Sequence, residues 1–420
     1  MRVLIISHTV FSNTESMGKT LSNYFCEFDS NELAQFYIHP QAPISSICHR
    51  YYRFTDRDAI MSIFHLKKGI SFSTNEQKDS CNDIHMTDFT KSIYQKGRKR
   101  TPFVYFIRNI IWRLSNWNNK KFKKWIDDFD PECVFFASGD YSFMYRIALK
   151  IAKSKNIPLY ISCMDDYYLN NKNDNSTFGR AVHNRFMSIV KKTVDYSNAM
   201  FCICEKMSED YGKYFNKKCY TLHTPASFIG PLNTLKKNKI CYLGSLGYKR
   251  DDQLVEIGCT LKKIGLHPNH IDVYSSEKRR NILEKLTLEN GILFHGEIGS
   301  SEVINVIGES MAVLHVESFN ESTRRSIKYS VSTKIADSLE SGTCIFAYGP
   351  QEVASISYLH DNDAAICCFK RDSLELYLRE LIIRSDERER KIINARQLAN
   401  RNHRIDSASM LLKKVLMSDS

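Results

Sequence analysis

Met311-Ala-Val-Leu-His-Val316, then Glu317, then Val331-Ser-Thr-Lys-Ile-Ala-Asp-Ser-Leu-Glu-Ser-Gly342, then Cys344-Ile-Phe-Ala-Tyr348 is the stretch that decides the fold. Two apolar runs of strand length flank a polar loop and a short helix carrying Lys334 and Asp337. The second run ends at Gly349-Pro350, where another helix is expected. Strand, polar loop, helix, strand is half of an open α/β sheet, and such sheets bind ligands beyond the carboxyl ends of their strands. Glu317, Lys334 and Asp337 therefore stand where a ligand lies, and a spacing of three puts Lys334 and Asp337 on one helix face.

Working outward, the second half of the chain opens the same way. Lys239-Ile-Cys-Tyr-Leu243 reads as a strand, Gly244-Ser-Leu-Gly247-Tyr-Lys-Arg250 as a loop, and 252–264 as a helix. Two glycines at a helix start let backbone amides approach an anion, and Arg250 can fork onto a diphosphate. Ile271-Asp-Val-Tyr274 and Gly291-Ile-Leu-Phe294-His-Gly296 read as further strands. The first half begins with Arg2-Val-Leu-Ile-Ile-Ser7, a buried parallel strand by its unbroken apolar run. His8 opens the loop after it, and Gly18-Lys19 is not a P-loop because Asn13 stands where its first glycine belongs. Glu132–Ala137 and Ile157–Ser162 are strands, and Asp165-Asp166 follows the second at its carboxyl end. Residues 41–88 show weak periodicity.

A chain of 420 residues exceeds one compact core, so two domains are expected. Their bounds are 1–230, completed by a C-terminal helix at about 400–420, and 238–400, joined by a Pro-, Gly- and Ser-rich linker at 224–239. No apolar run is long enough to span a bilayer, and the N-terminus reads as a first strand of a cytoplasmic protein. The 13 cysteines lack CxxC spacing, which points to reduced thiols and not to zinc or disulfides. The net charge is +12, yet residues 91–126 hold no acid and eleven lysines or arginines interleaved with aromatics. That pattern suits an anionic membrane surface, and no nucleic-acid motif accompanies it.

Ser332-Thr-Lys334-Ile-Ala-Asp337-Ser-Leu-Glu-Ser-Gly342 and Ala347-Tyr-Gly-Pro350 resemble the donor-site segment of family 4 glycosyltransferases, retaining enzymes that build bacterial surface polysaccharides. The resemblance implies a GT-B fold, two Rossmann-like domains facing each other across a cleft, with the last helix crossing back to the first. It implies a nucleotide-diphosphate sugar as donor and a glycan, lipid-linked through a polyprenyl diphosphate, as acceptor. It gives Gly244, Ser245, Leu246, Gly247, Arg250 and Lys334 the diphosphate, Phe294 and Gly296 the base, Asp337 the ribose and Glu317 the donor sugar. His8 and Asp165 fall on the acceptor side. No metal or other cofactor is expected, and the protein would work at the cytoplasmic face of the membrane. Two departures stand out: twenty residues separate Glu317 from Asp337, more than in the family, and the second acid is Asp where Glu is usual. The intervening 320–330 reads as a solvated charged loop. A nucleotide-sugar epimerase and a non-catalytic subunit of the same fold are the other readings.

Overall fold

The computed structural model describes residues 1–13, 16–64, 66, 69–74, 101–169, 176–226 and 238–418. Most of the expected linker, and residues 91–100 of the basic segment, lie outside these. The chain forms two units, Met1–His223 with Ile405–Ser420, and Thr224–Arg404.

The elements of the first unit, in order, are β1 (Val3–Ser7), α1 (Ser16–Tyr24), β2 (Leu33–Tyr37), β3 (Arg50–Arg53), α2 (Asp56–Ile63), β4 (Ile70–Ser73), α3 (Pro102–Leu114), α4 (Lys120–Phe129), β5 (Cys133–Ala137), α5 (Ser142–Lys155), β6 (Leu159–Cys163), α6 (Thr177–Tyr196), β7 (Ala199–Cys202), α7 (Glu205–Phe215) and β8 (Cys219–Thr221). They build one sheet in the order β4-β3-β2-β1-β5-β6-β7-β8, parallel except for the β3–β4 pair. The strands β1, β5 and β6 are buried throughout because helices cover both faces, which is why they read as unbroken apolar runs.

The weakly periodic region 41–88 holds β3, α2 and β4 among its described residues. Thr55 and Asp58 form a capping box at the start of α2, so the signal was present but shorter than a hydrophobic period. The basic segment folds as two helices, α3 capped by Thr101 with Pro102 after it, and α4 capped by Asn119. Trp112, Phe122 and Trp125 turn inward from them, and Lys120, Lys121, Lys123 and Lys124 turn out.

The second unit contains β9 (Ile240–Leu243), α8 (Arg250–Ile264), β10 (Ile271–Tyr274), β11 (Ile292–Gly296), α9 (Ser300–Glu309), β12 (Ala312–Val316), α10 (Glu321–Ile327), α11 (Thr333–Glu340), β13 (Cys344–Tyr348), α12 (Ala354–Asp361), β14 (Ile366–Cys368), α13 (Leu374–Ile383) and α14 (Ser385–Asn402). Its sheet is wholly parallel, ordered β11-β10-β9-β12-β13-β14. Apolar clusters cover both faces, one with Leu254, Leu261 and Phe346 and one with Ile335, Leu339 and Ile356.

The expectation of a solvated loop at 320–330 is corrected. Asn320 accepts from the Thr323 N–H and starts α10, and Thr323 and Ile327, four apart, face inward. Arg324 pairs with Glu352 at 2.6 Å and Arg325 with Glu321 at 3.0 Å, so charge rides on the outer face of a packed helix.

After α14, α15 (Ile405–Ser418) returns to the first unit. It packs beside α1, burying Ala408, Leu412, Val415 and Leu416 in the cluster that holds Phe25 and Phe28. The Glu27 N–H donates to Ser409 Oγ at 3.1 Å, and Lys413 Nζ donates to the Glu27 carbonyl at 3.1 Å.

Candidate functional site

In each sheet the chain reverses its direction of winding at one place, between β9 and β12 in the second unit and between β1 and β5 in the first. A crevice opens beyond the strands at such a point, because connections on its two sides leave toward opposite faces.

At the β9/β12 point, Glu317 follows the last residue of β12 and is 1% exposed. Its N–H donates to the Tyr348 carbonyl at 2.9 Å, continuing the strand pairing by one residue. A Cβ on Gly349 would lie 3.0 Å from Glu317 Cβ and from its carbonyl oxygen, so any larger residue would press the two strand ends apart by a few tenths of an ångström. Arg250, the first residue of α8, reaches this carboxylate at the end of the strand next to β9. Its Nη2 donates to Oε1 at 2.9 Å and to Oε2 at 3.0 Å, and Nε to Oε2 at 3.2 Å. Nε also reaches the Val316 carbonyl at 3.2 Å. One edge of the guanidinium is thus docked, and among the described residues Nη1 has no partner. Burial raises the pKa of Glu317, an effect that Arg250 only partly offsets. Burial disfavours charge on Arg250 too, but Glu317 outweighs it and the pKa lies above the usual value.

Lys334, in the first turn of α11, donates from Nζ to the Leu243 carbonyl at 3.2 Å. A Cβ on Gly244 would lie 3.0 Å from Tyr242 Oη and 3.2 Å from its ring carbon, so the glycine makes room for the tyrosine that holds the loop. Desolvation, and then repulsion by Arg250, lower the Lys334 pKa, with Asp337 opposing. Asp337 sits half-buried one turn along the same helix.

The loop between them is built by three contacts. Leu246 is buried in the core, Tyr242 Oη donates to the Ser245 carbonyl at 2.7 Å, and Gly247 N–H donates to Ser245 Oγ at 3.2 Å. The left-handed positions that follow are not the glycines but Tyr248 (φ 60°) and Lys249 (φ 58°). Two such residues in succession cost roughly 1–3 kcal/mol each, a strain of the kind that collects at working sites. They turn the chain sharply into α8, whose N-terminus carries no side-chain cap.

Phe294 and Gly296 lie on β11, the edge strand. Phe294 packs toward the apolar core, while the neighbouring His295 ring is stacked on Tyr274 at 4.5 Å and 8°. Asp272 holds His295 Nε2 at 2.6 Å. This pair was not legible beforehand, since Tyr274 and His295 meet only through the pairing of β10 with β11. His315, inside β12, contacts Ser355 Oγ through Nε2 at 2.9 Å. Burial, then the charge of Arg250, push its pKa down to about 3, so it stands neutral 3.8 Å from Glu317.

At the β1/β5 point of the first unit, His8 stacks on Tyr141 (centroids 5.6 Å apart, 28°) and meets His39 edge-on at 5.9 Å. Arg108 lies 3.9 Å over the same Tyr141 ring and donates from Nε to Asp56 at 2.9 Å. Asp165, after β6, accepts from the Asp166 N–H at 2.9 Å and stays half-buried. Asp166 is a structural clamp: it accepts from the N–H groups of Tyr168 and Leu169 and from Tyr211 Oη. Sequence reasoning missed Tyr141 and Arg108, which lie far from His8 along the chain. Among the described residues no cluster of three or more His, Cys, Asp or Glu side chains is arranged to hold a metal ion.

Of the residues singled out from the sequence, the structure gathers Arg250, Glu317, Lys334, Asp337 and the 244–247 loop at one sheet's switch point. It sets Phe294 and Gly296 two strands away on that sheet, and His8 and Asp165 in the other unit.

No known family profile matches the chain, and no curated protein matches it in sequence. Solved structures do match in fold. Anabaena Alr3699/HepE, determined in complex with UDP, aligns over 100% of both chains at 9% identity with a TM-score of 0.61. TarM aligns over 99% of this chain and 98% of its own at 9% identity, TM-score 0.63. WaaG, a glycosyltransferase involved in lipopolysaccharide biosynthesis, aligns over 97% and 99% at 11% identity, TM-score 0.55. The chain therefore has the GT-B fold, with two Rossmann-like parallel sheets.

Proposed function

We propose that the protein is a metal-independent, retaining glycosyltransferase, moving a sugar from a nucleotide-diphosphate donor to a lipid-linked glycan in bacterial surface-polysaccharide synthesis. The observation that carries this reading is the cluster at the β9/β12 switch point. Arg250 is held by its Nε/Nη2 edge with Nη1 left over, Lys334 stands at the end of β9, and α8 starts at Arg250 without a side-chain cap. In the transfer, the bond from the anomeric carbon to the diphosphate oxygen breaks and its electron pair leaves on that oxygen. The acceptor oxygen bonds the same face of the carbon, and its proton passes to the departing diphosphate. Cations fixed in advance where that negative charge grows contribute several kcal/mol. Glu317, 1% exposed and held by three hydrogen bonds from Arg250, aims the guanidinium in place of the donor-sugar contact that the resemblance implied; Asp337 takes the ribose hydroxyls. The structure of Anabaena Alr3699/HepE, which shares the fold, was determined in complex with a nucleoside diphosphate, UDP. His8 and Asp165 line the acceptor side at the strand ends of the first unit.

Saturation-transfer NMR of the purified protein with UDP, GDP, dTDP and CMP tests the donor site. One nucleoside diphosphate is expected to bind, with the signal lost in Lys334→Ala and Asp337→Ala and in a folded Arg250→Ala. Absence of binding at millimolar concentration in the folded wild type would sink the reading. Conversion of a nucleotide sugar without acceptor would replace it by an epimerase.

A further inference from the structure

The helix α3 is inverted relative to an ordinary surface helix. Its outward row, Phe103, Phe106, Ile107, Ile110 and Leu114, is between 38% and 63% exposed, while its buried residues are Arg108 and Trp112. The inversion is fixed by the protein. Arg108 Nε and Trp112 Nε1 both donate to Asp56 Oδ1, at 2.9 and 2.7 Å, and Trp112 stacks on Phe143 at 4.3 Å and 9°. Rolling the helix over to hide the row would break both hydrogen bonds and bring an arginine out of its only ion pair among the described residues.

The row continues onto α6, which packs beside α3. Phe178, 45% exposed, meets Phe106 edge-on at 5.6 Å. Around this apolar strip stand exposed Arg113, Arg180 and Arg185, with half-buried Arg146 among them. Arg185 and Arg113 both lie near enough to Arg146 to repel its charge, in addition to its burial. In all of α3, α5 and α6 the single acidic residue is Asp195, in the last turn of α6. A contiguous apolar row with guanidiniums at its margin, on helices whose one acid lies in the last turn of α6, is complementary to a surface both apolar and anionic.

We infer that this α3/α6 face is a membrane-docking surface, in which α3 lies in the plane of a bilayer containing anionic lipids with Phe103, Phe106, Ile107, Ile110, Leu114 and Phe178 among the acyl chains. Thirteen residues of helix extend roughly 20 Å, too short to span and long enough to lie flat. Side chains of such a helix enter about 5–10 Å, and apolar insertion and headgroup attraction act together. The lysine face of α4 has no outward apolar row, because Phe122, Trp125, Ile126 and Phe129 are spent in the core. The purpose of the surface, presenting the protein to a lipid-linked acceptor, rests on the proposed function; the docking itself does not.

The test is co-flotation of the full chain with vesicles of phosphatidylcholine alone or mixed with phosphatidylglycerol, without nucleotide. Wild type is expected on the mixed vesicles, with less bound as salt rises. Ile107→Ser/Ile110→Ser and Arg113→Glu/Arg185→Glu should each lower the partition coefficient on the order of tenfold or more, while Lys120→Glu/Lys121→Glu leaves most of it. Unchanged melting temperature and nucleotide signal in the variants show that the fold and the donor site survive. The inference is overturned if wild type stays in solution, if the α3 pair floats as well as wild type, or if the α4 pair loses as much. It is equally overturned if wild type is a dimer that Ile107→Ser/Ile110→Ser makes monomeric, since the face is then a protein interface. Loss of flotation with nucleotide binding intact, or the reverse, separates this inference from the donor-site reading.

Discussion

The two switch points place chemistry at the same position of the same sheet design, yet they are furnished differently. In the second unit, Glu317 and Arg250 form a buried ion pair hydrogen-bonded along one edge of the guanidinium, with Lys334 beside it. In the first, His8, Tyr141 and His39 form an aromatic group, and the nearest ion pair, Arg108 with Asp56, is turned toward holding α3. The difference teaches what each crevice suits. Fixed cations suit a ligand that carries charge of its own, such as a diphosphate. Rings and a half-buried carboxylate suit neutral hydroxyl-rich ligands, which are recognised by stacking and hydrogen bonds.

The sharpest way to break this contrast is to remove one half of the buried pair. Arg250→Ala leaves Glu317 buried without its partner, and breaking such pairs costs about 3–5 kcal/mol. The melting temperature should fall markedly, and nucleoside-diphosphate binding should vanish. Arg250→Met/Glu317→Met should recover most of that stability without recovering the binding, as measured by denaturant unfolding and NMR side by side. Recovery of both would show that the pair is structural only.

Next in size is an effect of acid on the second unit. His315 is neutral in the fold, with its pKa held near about 3. A histidine lowered in this way adds stability that is full above its unfolded value near 6.5 and is lost as pH falls toward its folded value. Unfolding followed from pH 7 to pH 4 should show this loss, and His315→Asn should flatten it.

Lys334 gives a smaller effect at the alkaline end. Its pKa is already lowered, and a bound diphosphate favours its charged form. Nucleotide affinity should therefore weaken as pH rises through that lowered value, and Lys334→Arg should extend binding upward by several-fold. A profile that does not differ between the two proteins would remove Lys334 from the site.

The mildest expected change concerns the first unit. His8→Ala should leave nucleotide binding within about twofold of wild type, while transfer to acceptor drops about tenfold or more, the scale of one well-placed side chain. Equal loss of nucleotide binding would erase the division of labour between the two crevices.

Much of the second unit was legible beforehand because its signals are local. The strand 344–348 and the helix with Lys334 and Asp337 agree with their reading, since a continuous apolar run marks a strand buried on both faces. The helix at 321–327 was missed because a single-sided seven-residue helix buries only two positions, Thr323 and Ile327, and the intervening charges read as loop. The basic segment was read as one surface because its cations and aromatics alternate. Only packing reveals that α4 keeps its aromatics inside while α3 turns its apolar row outward.

The sequence by itself determined the parallel α/β class, the order of most strands and helices, and which acids and bases follow the strand ends. Apolar periodicity and turn chemistry are properties of neighbouring residues, and neighbours are what a sequence states. Tertiary structure alone decided that Arg250 spends one edge on Glu317, that Tyr274 stacks on His295, and that Asp56 fixes the rotation of α3. Each of these joins residues at least twenty apart through strand order or helix packing. Which of two polar groups then becomes a partner depends on the burial that only the completed fold imposes.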